Sequence, residues 1–77
     1  MIYTLRWEEQ EFIKDIKVNR AQKICDTILI LQDGGVLPNK AGKEKIRIFS
    51  KRKGEYINTE QSYEQADIFQ GDILFIR

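Results

Sequence analysis

Few residues in this chain could do chemistry. It has no histidine and one cysteine, Cys25. A Ser-His-Asp or Cys-His arrangement therefore cannot assemble, nor can a zinc set of Cys and His ligands. Glu8 and Glu9 are adjacent carboxylates of a type used in acid–base work, but neighbours on a loop tip face solvent. Asp33-Gly34-Gly35 closes a helical pattern, whereas a phosphate-binding loop opens one. Cys25 lies next to an apolar helical stripe, with no basic group set to activate it, and reads as a packing residue. Tyr3 and Trp7 could stack on a ligand; sharing one strand parity, they read first as core. No catalytic residue, metal ligand or cofactor is expected, so the chain reads as a non-enzyme.

Charge says little more. Thirteen basic and twelve acidic residues leave a net +1, which predicts no nucleic-acid partner. The distribution is uneven, because Lys40, Lys43, Lys45, Arg47, Lys51, Arg52 and Lys53 are opposed locally only by Glu44. Such a stretch is a solvated hairpin or a contact surface for an acidic partner. A lone cysteine points to a reducing compartment. The N-terminal MIYTLRWEEQ lacks the basic-then-apolar pattern of a secretory signal, and no apolar run approaches the roughly 20 residues of a membrane span. A cytoplasmic location without membrane insertion is expected.

Seventy-seven residues make one domain, residues 1–77. A chain of this size buries only about 60% of its unfolded surface. Tyr3-Thr4-Leu5-Arg6-Trp7 alternates with period two, placing Tyr3, Leu5 and Trp7 on the core side of a strand. Glu8 to Glu11 suits a hairpin loop. Phe12 to Val18 alternates again, with Lys14 on the apolar parity, as a bulge or an edge strand would tolerate. Asn19 reads as an N-cap, and Ile24, Ile28 and Leu31 as one helix face, closed by Gly34-Gly35 and stopped by Pro38. After a loop from Asn39 to Lys43, Lys45 to Phe49 reads as a third strand and Tyr56-Ile57 as a short fourth. Asn58 to Asp67 reads as irregular, with one helical turn at Ser62 to Ala66. Gly71-Asp72 leads into Ile73 to Ile76, apolar on both parities and so suited to a central strand. The order β-β-α-β-β-β predicts an α+β fold, a mixed sheet of four or five strands packed on one helix. The last strand should lie parallel to the first.

The hairpin, the helix over Asn19 to Leu31, its exit QDGGVLP and the closing ADIFQGDILFIR together resemble the ubiquitin-like β-grasp over nearly the whole chain. Within that superfamily the chain is most similar to the small bacterial ubiquitin-like proteins of the YukD/EsaB kind, which accompany type VII secretion systems. The shared features are the length, the Gly-Asp-Ile-Leu turn and an end without diglycine. The resemblance implies a protein partner, such as a cytoplasmic part of a secretion machine. It also separates this chain from conjugated relatives and sulfur carriers, whose slim glycine tails thread an activating enzyme; Phe75-Ile76-Arg77 is bulky. Activation at the C-terminus remains the alternative.

A docking surface is expected on the sheet face away from the helix. If Ile73 and Phe75 point at the helix, Leu74 and Ile76 point outward. Ile2, Arg6, Arg47 and Phe49 join them, giving a patch of Ile2, Phe49, Leu74 and Ile76 edged by arginines. In ubiquitin the corresponding face docks partners.

Overall fold

The structure is a computed structural model that describes residues 1–37 and 46–77. The expected stop at Pro38, the Asn39 to Lys43 loop and the start of the third strand at Lys45 lie outside the described residues. Five strands and one helix follow in order: β1 (Ile2–Trp7), β2 (Phe12–Lys17), α1 (Ile24–Asp33), β3 (Ile48–Ser50), β4 (Glu55–Ile57) and β5 (Ile73–Ile76). They form one sheet of order β2-β1-β5-β3-β4. β5 runs parallel to β1 and antiparallel to β3, while the two hairpins, β1–β2 and β3–β4, are antiparallel. The fold is α+β, the expected β-grasp arrangement with β5 in the middle.

The first hairpin turns through one 3-10 turn at Glu8–Gln10 and Glu11 in the left-handed region (φ 51), whose N–H returns to Glu8 O. Pairing is unbroken from Ile2–Lys17 to Trp7–Phe12, so Lys14 is absorbed without a bulge. It stands opposite Leu5 on the outermost strand, where its ammonium reaches water.

α1 begins at Ile24, four residues later than an N-cap at Asn19 predicts. Asn19 is spent on a turn instead: its Oδ1 accepts the Ala21 N–H at 2.9 Å and its carbonyl accepts the Gln22 N–H. Asn serves tight turns as readily as helix caps, for the same hydrogen-bonding reason. The first helical donors are satisfied from far along the chain. Ile24 N–H donates to Gln61 O at 3.0 Å and Cys25 N–H to Thr59 O at 2.8 Å. At the other end Gly35 (φ 72) adopts the left-handed conformation, Gly35 N–H returns to Gln32 O and Val36 N–H to Leu31 O. This double closure is the Schellman pattern, and it turns Leu37 into the core.

The core is one cluster. Tyr3, Leu5 and Trp7 of β1 and Ile16 of β2 meet Ile24 and Ile28 of α1, Ile48 and Ile57 from β3 and β4, and Leu74 and Ile76 of β5. The 58–71 segment contributes Tyr63, Ala66 and Ile68. Its single helical turn carries a reciprocal cap: Gln65 N–H donates to Ser62 Oγ at 3.1 Å and Ser62 N–H to Gln65 Oε1 at 3.0 Å. Inside, the hydroxyls of Tyr3 and Tyr63 hydrogen-bond at 2.8 Å.

The parity of β5 is the reverse of the expected one. Leu74 is fully buried and Ile76 nearly so, both within the core, because the register sets Leu74 beside Leu5 and Ile76 beside Ile48. Ile73 and Phe75 stand instead beside Thr4, Arg6 and Phe49 on the opposite face. An apolar run has no alternation of its own, so the neighbours decide.

Two outcomes test this packing. Leu74→Ala is expected to cost about 2–5 kcal/mol in urea unfolding and Leu74→Asp to abolish the fold, whereas Phe49→Asp keeps native circular dichroism. A folded Leu74→Asp protein would refute the inward placement. Burial also raises the Tyr3 and Tyr63 phenols above their ordinary 10.0. The unfolded chain then loses these protons first. Stability is complete below about pH 10 and falls as pH rises through it. Phenolate absorbance from these two tyrosines should appear together with loss of circular dichroism, and ionisation well before unfolding would contradict the buried pair.

Candidate protein-binding face

The turn before β5 fixes how the open face is presented. Gly71 (φ 83) donates its N–H to Ile2 O at 2.8 Å, and Thr4 N–H donates to Asp72 O at 2.9 Å. Gln70 Oε1 accepts the Ile2 N–H at 2.8 Å. The Asp72 side chain, only 8% exposed, accepts the Phe69 N–H at 2.8 Å. It also receives Arg52 through Nε at 3.0 Å and Nη2 at 3.2 Å. Arg52 donates further to the Asp67 carbonyl and lies 4.4 Å above the Phe69 ring. One carboxylate thus ties the β3–β4 turn to the approach to β5.

Beyond this anchor, one lateral row crosses all five strands on the face away from α1. Ile13 of β2, Arg6 of β1, Phe75 of β5, Phe49 of β3 and Tyr56 of β4 are successive cross-strand partners. Phe49 and Tyr56 meet edge to face at 5.3 Å. Guanidinium groups cover the rings. Arg77 lies 4.5 Å from the Phe49 centroid and 4.9 Å from that of Phe75, Arg6 lies 5.5 Å from Phe75, and Arg47 lies 4.3 Å from Tyr56. Arg47 Nη2 also donates to the Tyr56 hydroxyl at 3.2 Å. Phe75 is therefore only 6% exposed although it faces away from the core. Where Phe75 to Arg77 pass the first hairpin, Glu8 and Glu9 complete a cleft of about 290 Å³.

Of the six residues expected on this surface, Ile2, Arg6, Arg47 and Phe49 lie on it, with Ile2 exposed at the start of β1. Leu74 and Ile76 do not; they are core residues. Their places are taken by Ile73 and Phe75, and the expectation also missed Ile13, Tyr56 and Arg77. One signal was available. Arg77 shares the parity of Ile73 and Phe75, and a charged residue beside the strand belongs on the solvated side.

The other candidates resolve simply. Tyr3 and Trp7 are buried in the core. Cys25 is half-buried at the start of α1, its Sγ 3.8 Å from Asp26 Oδ1. Glu8 and Glu9 are exposed. In the basic segment, Lys40, Lys43 and Lys45 lie outside the described residues. Lys53 Nζ caps the Ala66 carbonyl at 3.0 Å and pairs with Glu55 at 3.3 Å, and Arg52 holds Asp72. Arg52 and Lys53 thus brace the fold. Among the described residues no group of three or more Cys, Asp or Glu side chains could hold a metal ion, and no helix is long and apolar enough to cross a membrane. No family model matches the chain, and no curated protein matches it in sequence.

The anchor gives the next test. Asp72→Ala removes the acceptor for Phe69 N–H and strands Arg52, with an expected cost of about 1–3 kcal/mol in chemical denaturation. Arg52→Ala should cost less, because the Arg52 side chain is 43% exposed and solvent can replace it. A neutral Asp72→Ala would remove the carboxylate from this role.

Proposed function

We propose that this protein is a non-enzymatic binding module that docks onto a protein partner through its open sheet face. The observation that carries the reading is the row from Ile13 to Tyr56. Within it Phe75, Phe49 and Tyr56 are contiguous on three adjacent strands, with Arg6 between them and Ile13 and exposed Ile2 on the same face, and no secondary-structure element lies over the row among the described residues. Contiguity of this kind, with arginines at the margin, is the usual composition of an interface centre. The likeness of the short length and the Gly-Asp-Ile-Leu turn to the YukD/EsaB group favours a cytoplasmic component of a type VII secretion machine as the partner.

Docking is favoured over C-terminal activation by the state of residues 73–77. Leu74 and Ile76 are buried, and Arg77 N–H donates to Arg47 O at 3.0 Å, so this segment belongs to the sheet. A carrier using these residues as its activated tail would first have to release the central strand.

A photo-reactive phenylalanine analogue at position 49 is expected to crosslink in cells to a component of the secretion machine, while the same analogue at Ile30, exposed on α1, does not. Phe49→Asp should weaken binding of the partner so identified by tenfold or more, as loss of an aromatic anchor does. Equal crosslinking from both positions, or unchanged binding by Phe49→Asp, would sink this docking face. The carrier alternative gains only if intact-mass analysis after incubation with ATP and an activating enzyme finds an adduct at the C-terminus.

A further inference from the structure

The open face carries charge that no side chain among the described residues neutralises. Among the described residues no carboxylate lies within ion-pair distance of Arg6, Arg47 or Arg77, whereas Arg52 and Lys53 at the opposite end of the sheet are paired. Asp15, the acid on this face of β2, accepts the Thr4 hydroxyl at 2.7 Å. Glu8 and Glu9 flank the cleft beside Arg77 without pairing to it. The three guanidiniums are nonetheless held in place, each over a ring at 4.3 to 5.5 Å. A planar guanidinium stacked on an aromatic keeps its N–H donors in the plane of the fork, the geometry that receives a carboxylate through two parallel hydrogen bonds. Of these donors, one on Arg47 is spent on Tyr56.

Desolvation decides what can cover this surface. A wholly apolar partner would bury guanidiniums without counter-charge, a cost that ring contact alone does not offset. A second copy joined by a two-fold axis through the centre of the row would bring the arginines of both copies together. A nucleic acid, charged at every phosphate, would run past Glu8, Glu9 and Asp15 on or beside the face, on a chain whose net charge is only +1. A protein segment whose few carboxylates are spaced between apolar residues can meet Arg47 and Arg77 while keeping those carboxylates clear of the three acids. Resting on the docking reading above, we infer that the open face is a receptor for a protein segment in which Asp or Glu alternates with apolar residues. Its carboxylates pair with Arg47 and Arg77, and its apolar side chains lie against Phe49 and Tyr56.

The probes are a synthetic peptide of alternating Glu and Leu, its Gln-Leu counterpart and an oligouridylate, each titrated into isotope-labelled protein and followed by amide chemical shifts. The Glu-Leu peptide should shift Arg47, Phe49, Tyr56, Phe75 and Arg77 saturably, bind about tenfold tighter than Gln-Leu, and weaken steeply with added salt. The double variant Arg47→Gln, Arg77→Gln should abolish that preference, while Arg47→Lys, which keeps the charge but loses the fork, retains part of it. Equal binding of the two peptides, shifts confined to other surfaces, or an oligouridylate that binds this row as tightly as Glu-Leu would each overturn the inference. The two readings fail separately. If crosslinking from position 49 identifies a partner whose binding is insensitive to the double arginine variant, the docking face stands and the acidic chemistry falls. If crosslinking finds no partner while the Glu-Leu preference holds, the chemistry stands and the secretion partner falls.

Discussion

The Asp72 carboxylate is the point through which the rest of this structure is set. It is buried at the foot of β5, receives Arg52 from the β3–β4 turn, and accepts the Phe69 N–H from three residues back in its own turn. Its backbone carbonyl takes the Thr4 N–H, so the same residue starts the parallel ladder to β1. Once Asp72 is fixed, alternation follows: Leu74 and Ile76 fall into the core and Ile73 and Phe75 onto the open face. A slip of one residue would drive Phe75 and the neighbouring Arg77 toward α1 and bring Leu74 into water. A buried carboxylate without its donors is costly, so the alternative register lacks the one interaction that makes Asp72 tolerable where it is.

The second organising contact is between the 58–71 segment and the start of α1. Tyr63 N–H reaches Gln22 O, Glu64 N–H reaches Arg20 O, and the Gln61 and Thr59 carbonyls receive the first donors of the helix. A ten-residue helix is marginal in isolation. Here an irregular stretch both caps the helix and inserts Tyr63 beside Tyr3, with ring centroids 5.2 Å apart and hydroxyls joined. This is how a chain too small for a second layer of helices closes its core. The charged residues of the stretch stay outside, while Ser62, Tyr63, Ala66 and Ile68 turn in.

What could be read in advance follows the range of the forces involved. Alternation in Tyr3-Thr4-Leu5-Arg6-Trp7 placed three core residues correctly, because a half-buried strand writes its exposure into neighbouring positions. The glycine exit of α1 and the central place of β5 were legible for the same local reason. Asn19 misled because its side chain suits two local structures, and the choice was made by the Thr59 and Gln61 carbonyls, about forty residues away along the chain, which accept the first helical N–H groups. Ile73 to Ile76 misled because both parities are apolar; their orientation is written in Leu5, Ile48 and Asp72. Four of the six expected surface residues survived, since Arg6, Arg47, Ile2 and Phe49 belong to segments whose own pattern fixes their face. Tyr56 and Ile13 were invisible until cross-strand register brought them into the row.

That row also explains why a face so rich in aromatic rings can stand in water. Phe75, on the central strand, is nearly covered, yet its cover is two guanidiniums and not a packed layer. Arginine stems shield the rings from solvent, and the charged heads keep the surface hydrated and discourage contact between identical copies. When carboxylates arrive, the arginines need not leave the rings to bind them, because stacking uses the face of the guanidinium and pairing uses its edge. Solubility of the free protein and selectivity of the docked one would then come from the same three side chains. The surface can be apolar enough to bind and still be closed to partners that bring no negative charge.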